Sequence, residues 1–180
     1  MNYQLSQVGL LKVGGTVDYI ALSQKVMNAQ NRARMDPKAF SIELLEYGDK
    51  EASKIVETLG VKMDQLVYSP GLRKACNDMV KDQSTTGALG HAGSDKSTPF
   101  DRMNRYGKWS GLAGENIMYG GNDAIGIMAG LIKSPLHRKN IFTKEFTVVG
   151  ASCGTHKVYG VMTVINYASK FTSPKLTPLE

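Results

Sequence analysis

The sequence predicts an α+β domain, with helices layered on an antiparallel sheet of about three strands. Three observations carry that expectation. From Asp18 to Val80 apolar residues recur at helical spacing, as in Leu22, Val26, Ala29 and Ala33. Phe146 to Cys153 and Val158 to Tyr167 are β-rich runs separated by Gly154-Thr155-His156-Lys157, the pattern of a hairpin. A third strand candidate, Gly114 to Tyr119, is ended by Gly120-Gly121.

Residues 1–17, with Gly9, Gly14 and Gly15 and little periodicity, read as a leader. The first helix starts at Asp18, a residue that caps by accepting an orphan backbone N–H, and stops at Pro37. Asp36-Pro37 is in turn a cap and first-turn pair for a second helix through about Leu45. Arg32 and Arg34 fall near the first helix's C-terminus, where surface cations complement the dipole. A third helix covers Lys50 to Leu59, between Asp49 and Gly60. Ser69-Pro70 opens a fourth, whose Leu72, Ala75, Cys76, Met79 and Val80 form one buried stripe.

Gln83 to Thr98 then reads as a polar loop, long enough to suggest function, with His91 in its middle. Thr98-Pro99 starts a short helix to Tyr106. A second loop holding Trp109 and Gly111 leads into the Gly114 strand. Asn122 or Asp123 caps a helix with Ile125, Met128, Leu131 and Ile132 on one face, ended by Ser134-Pro135. His137 to Asn140 is a polar turn, and residues 172–180 are a tail.

The chain of 180 residues is expected to form one domain, 18–171, with a sizeable core. No window approaches 18 uninterrupted apolar residues, so no transmembrane helix is expected. The net charge of +6 favours acidic surfaces, but the basic residues are scattered. A solvated basic surface is expected, without specific nucleic-acid binding. Cys76 and Cys153 read as buried free thiols.

Two of the three histidines, His91 and His137, lie in short polar segments on either side of Glu115 in sequence. Two imidazoles and a carboxylate form a zinc-compatible donor set if the fold brings them together. Alternatively, Glu115 stands behind a histidine and orients its ring through the N–H. Ser94, Ser97 and Ser134 are candidate nucleophiles by proximity alone, and loop polarity explains all three. His156, in the hairpin turn, reads as a solvated surface residue. Arg138 is expected to pair with an acidic side chain and Asn140 to close a turn.

Seven motifs occur in an order that resembles one family. They are Asn31-Arg32-Ala33-Arg34, Leu72 to Met79, Gly90-His91-Ala92-Gly93, Asp101-Arg102 before Tyr106-Gly107, Gly114-Glu115-Asn116-Ile117, Ser134 to Ile141, and Val149-Gly150. Together they resemble the CAP superfamily (cysteine-rich secretory proteins, antigen 5 and pathogenesis-related 1), in its short microbial form, from about Tyr19 to Phe171. The resemblance implies an α-β-α sandwich with a cleft over a central antiparallel sheet. It also implies an exported protein, although Met1 to Gly15 does not read as a signal peptide.

In the family's cleft two histidines and two acidic residues can hold a divalent metal, often zinc. His91, Glu115 and His137 match three of these. The second acid has no counterpart, since Leu131-Ile132-Lys133-Ser134 lacks it. Asn116, Ser134, Arg138 and Asn140 are expected to line the cleft or support it. The resemblance therefore favours a binding protein for a divalent cation, Zn2+ or another, with a lipid, sterol or glycan-like ligand left open. A metal-assisted hydrolase and an adhesive module with a vestigial cleft are the alternatives.

Overall fold

The computed structural model describes residues 12–13 and 16–173. The expectations for the rest of the leader and for the tail from residue 174 lie outside the described residues. Within them, Lys12–Val13 (β1) and Thr16–Val17 (β2) form a separate antiparallel pair.

The capping residues place the helices as their chemistry dictates. Asp18 accepts from the Ile20 and Ala21 N–H groups, both at 3.0 Å, and starts α1 (Tyr19–Met35). Asp36 accepts from Ala39 N–H at the start of α2 (Pro37–Tyr47), and Asp49 from Ala52 N–H at the start of α3 (Lys50–Leu59). After β3 (Val67–Tyr68), Ser69 caps α4 (Pro70–Thr86). Thr98 and Asp101 form a reciprocal capping box on α5 (Pro99–Asn104). Beyond β4 (Lys108–Tyr119), Asp123 caps α6 (Ala124–Lys133), and Ser134-Pro135 leads directly into α7 (Pro135–Ile141). The chain ends in the hairpin β5 (Val148–His156) and β6 (Gly160–Thr172).

The main sheet has the order β3-β5-β6-β4. It has four strands where about three were expected, and β3 runs parallel to β5 while the other pairings are antiparallel. The added strand is two residues long, too short to leave a periodic signal. β4 is also longer than expected. Its first half, around Trp109, pairs with β6, and the register shifts between Ser110 and Ala113. Gly111 there has φ +79°, a conformation open to glycine, and the bulge absorbs what reads in sequence as a loop. In the same way α4 continues through Thr86, shortening the loop before His91.

Side chains alternate between the two faces of the sheet. On one face Val149, Ala151, Cys153, Ile165 and Tyr167 pack against α1, α2, α3 and α6. On the other, Ile117, Met162, Val164 and Ala168 pack against α4 and α5. The result is an α-β-α sandwich with β4 as an open edge. Cys76 and Cys153 are buried and free; Cys76 donates to Gly150 O at 3.2 Å, and burial pushes its thiol well up.

Arg34 departs from the surface role expected of it. Its side chain is buried and donates to the carbonyls of Asp64, Ile141, Thr143 and Phe146, at 2.8–3.3 Å. Burial lowers the guanidinium pKa, against the opposing pull of Tyr167 and Asp64. Four carbonyls from two stretches of chain, Asp64 and residues 141–146, converge on one cation, which fixes the end of α7 against α1. Arg32, by contrast, is exposed and pairs with Glu43.

Candidate functional site

The candidate site is built on the edge strand β4. Glu115 and Asn116 are adjacent, so their side chains leave opposite faces of the sheet. Each organises a polar network on its own face, and each network holds one of the two histidine segments.

On the α4–α5 face, Glu115 is buried in the sheet and faces Arg102 of α5. The Arg102 Nη2 donates to Glu115 Oε1 at 3.1 Å, to Oε2 at 3.0 Å and to the carbonyl of His91 at 3.1 Å. Its Nη1 donates to Ser97 O at 2.9 Å. One guanidinium thus ties the carboxylate to two points of the loop, His91 itself and Ser97 near its end. The His91 ring meets the same carboxylate, Nδ1 to Oε1 at 2.9 Å. A carboxylate acceptor assigns the proton to Nδ1, leaving Nε2 with its lone pair on a side chain that is 50% exposed.

Other groups fix the loop further. Gly90 donates to Tyr119 Oη at 2.8 Å, while Tyr119 donates to Gln83 Oε1 at 2.9 Å and Gln83 Nε2 donates to Gly90 O at 2.8 Å. Arg105 bridges Asp78 of α4 and Asp95 of the loop, at 3.0 and 2.6 Å. Asp95 is held well below the usual carboxylate range by its hydrogen bonds to Ser97 and by Arg105.

On the opposite face, Asn116 Nδ2 donates to His137 O at 3.0 Å and to Tyr167 Oη at 3.3 Å. Asn140 Nδ2 donates to Asn116 Oδ1 at 2.8 Å and to the edge carbonyl of Glu115 at 3.3 Å. Tyr167 Oη in turn donates to Gln30 Oε1 of α1 at 2.7 Å. These bonds pin α7 to β4 and set His137, half-buried, beside the edge strand. Burial first, and the neighbouring His91 second, hold the His137 imidazole below its ordinary value.

Asn116 and Asn140 therefore join α7 to β4, through contacts that sequence reading did not assign. Ser134 joins α6 to α7 and accepts Arg138 N–H with its carbonyl at 2.8 Å. Among the described residues Arg138 pairs with no acid; its Nη1 donates to Ile132 O at 2.7 Å and satisfies the end of α6. Ser94 bonds to Asp82, and the Ser97 hydroxyl lies 3.4 Å from Arg102 Nη1. Among the described residues, no three His, Cys, Asp or Glu side chains converge as a metal cage.

His156 is the clearest correction to the sequence reading. It is 2% exposed, not solvated. Its Nδ1 accepts from the N–H groups of Val158 and Tyr159, both at 3.2 Å, and its Nε2 donates to Ala88 O at 3.1 Å. The ring also packs edge-on against Tyr119 at 5.1 Å. It staples the β5–β6 turn to the root of the His91 loop. Sequence reading missed Arg102, Gln83 and Tyr119 as site residues. Arg102 carried one signal, its place in the Asp101-Arg102 motif; Gln83 read as the start of a polar loop and Tyr119 as the end of a strand, with nothing to mark either.

Solved structures with the same fold include an extracellular protein containing an SCP domain from Bacillus anthracis str. Ames. It is 20% identical with a TM-score of 0.58, and the match covers 84% of this chain and 41% of that one. An outer surface protein from Borrelia burgdorferi is 15% identical, with a TM-score of 0.54 over 70% of this chain and 92% of that one. A cysteine-rich secretory protein from Staphylococcus aureus subsp. aureus Mu50 is 11% identical, with a TM-score of 0.54 over 85% and 40%. The chain thus spans about two fifths of the Bacillus and Staphylococcus chains. No curated protein matches the sequence. The model of the cysteine-rich secretory protein (CAP) family matches residues 27–167, and the chain belongs to that family.

Proposed function

We propose that this CAP domain is an exported, non-enzymatic binding protein whose cleft takes a divalent cation, zinc first, through His91 and His137. The observation that carries the reading is the chain Arg102–Glu115–His91. It fixes the ring by Nδ1 and presents Nε2 outward, the arrangement by which a carboxylate orients a histidine ligand. Glu115 acts from behind His91 in this reading, because Arg102 engages both of its oxygens. The donor set fits a cation held by two neutral imidazoles, with water completing the coordination, and so an exchangeable ion more than a structural one.

Leu89 and Leu136 flank the two histidine segments and are both exposed, which suits a small apolar or glycan-like ligand over the cation. Export is supported by the extracellular and outer-surface proteins that share the fold.

Titration calorimetry with zinc on the full chain and on His91→Ala/His137→Ala tests the reading. Binding heat in the parent that vanishes in the double variant is expected. Equal heats in both, or none in either, would remove the metal from the proposal.

A further inference from the structure

Asn166 lies at the centre of β6, wholly buried, across from Glu115 on β4 and Gly150 on β5. By strand alternation its side chain shares the α4 face of the sheet with Val164 and Ala168. Among the described residues neither Oδ1 nor Nδ2 has a protein partner, and the Nε of Arg102, buried on the same face, has none either. The terminal nitrogens of that guanidinium are already committed to Ser97, His91 and Glu115. Unpartnered buried polar atoms are uncommon in native interiors, and three on one face call for a common partner.

The surroundings narrow what that partner is. The Glu115 carboxylate that meets Arg102 stands across from Asn166 in the β4–β6 register, and Cys76 of α4 donates to the carbonyl of Gly150, which stands across from Asn166 on β5. A cation is disfavoured by the Arg102 guanidinium and an anion by the Glu115 carboxylate. An apolar group would leave all three atoms unpaired. The helix above leaves no room for a large molecule: a Cβ on neighbouring Gly150 would lie 2.3 Å from Arg73 N. What fits is a small neutral molecule that both donates and accepts.

We propose that Asn166 and Arg102 hold an internal water molecule beneath α4, in a site walled by Glu115 and Cys76. The water accepts from Arg102 Nε and from Asn166 Nδ2, or donates to Asn166 Oδ1. It braces the guanidinium plane on the side away from Ser97, so the ion pair that orients His91 is held from behind. The site stands independently of any metal in the cleft.

A crystal structure of the full chain tests this directly. A water peak is expected within about 2.7–3.2 Å of both the Asn166 amide and Arg102 Nε. A map that shows other internal waters and none here overturns the proposal. Asn166→Leu supplies a second readout with opposite signs for the two cases. If the water is present, the variant strips Arg102 Nε of its bridge, and the thermal midpoint falls by about 2–4 °C, the loss of one hydrogen bond in a domain of this size. If the amide is merely orphaned, its removal relieves a desolvation cost and the midpoint rises. Should the variant fail to fold, the crystallographic result on the parent chain decides.

Discussion

Arg102 and Glu115 form an ion pair whose side chains are only 2% and 1% exposed, with one guanidinium nitrogen reaching both carboxylate oxygens. A buried pair of this kind gains little net stability over an apolar pair of the same shape, because both charges leave water. Its value here is directional: the same nitrogen also holds the His91 carbonyl, so carboxylate and loop are registered by one group.

Breaking that pair from one side should therefore be costly. Arg102→Met leaves a buried carboxylate with only the His91 ring, and should destabilise the fold by about 3–5 kcal/mol in urea unfolding. Removing both charges in Arg102→Met/Glu115→Leu should recover much of the loss. A single-variant loss below about 1 kcal/mol would show that the pair is open to water.

His156 yields a second prediction, because all its hydrogen-bonding capacity is spent between a turn and a loop. His156→Ala should cost about 1–3 kcal/mol, the penalty for leaving buried partners unsatisfied. It should also speed hydrogen exchange at the Gly90 and His91 amides, since Tyr119 loses the ring against which it packs. If exchange at those amides is unchanged, the turn and the loop are not coupled.

The same residue shows where sequence reading reached its limit. The caps Asp18, Asp49, Ser69 and Asp123 act locally, through N–H groups two or three residues on, and they were legible. His91, Glu115 and His137 could be singled out because they stand in distinctive polar motifs. Three longer-range partnerships could not be read. Arg34 reaches carbonyls more than 100 residues away, Asn116 reaches α7, and His156 reaches Ala88 across 68 residues. Each residue type is polar and ordinarily exposed, so local pattern assigns it to the surface. Only the sheet register and the packing of α4 and α7 on it bring the partners together. The strand β3 was hidden for a related reason, since two residues pairing with a distant strand leave no periodicity of their own.

Stability at acid pH should depend on Asp49. Burial would raise its carboxyl pKa, but the Lys133 ammonium at 2.6 Å and the Ala52 N–H outweigh it, and the net shift is downward. A carboxylate depressed in the folded state adds stability that is fully present above its unfolded value, about 3.9, and is lost as pH falls through the folded value. Lys133 is more than a third exposed, so solvent screens the pair and its worth is about 0.5–1 kcal/mol. Asp49→Asn keeps a competent cap and removes the charge. The parent should be the more stable at neutral pH, and the gap in thermal midpoint should close as pH drops below about 4. A gap that persists unchanged to pH 2 would place its origin in the cap and not in the charge.

A helix–sheet contact made by backbone on both sides gives the last prediction. On Gly150 of β5, a Cβ would lie 2.3 Å from Arg73 N and 2.5 Å from Leu72 C, which are backbone atoms of α4. Neither can turn aside as a side-chain tip would, so Gly150→Ala must push the helix off the sheet, at a cost of about 3 kcal/mol or more. That shift would also move Cys76, whose thiol donates to Gly150 O, and open the interface beside Asn166 and Glu115. Gly48, which ends α2, is the useful contrast. Among the described residues nothing lies within 4 Å of its added Cβ, but its φ is +100°, so Gly48→Ala should cost only backbone strain of about 1–2 kcal/mol. Urea unfolding of the two variants separates the mechanisms: a clash should loosen α4 and raise hydrogen exchange along it, whereas strain at Gly48 should leave α4 protected. Equal and small effects at both positions would mean that α4 rides higher on the sheet than 2.3 Å allows.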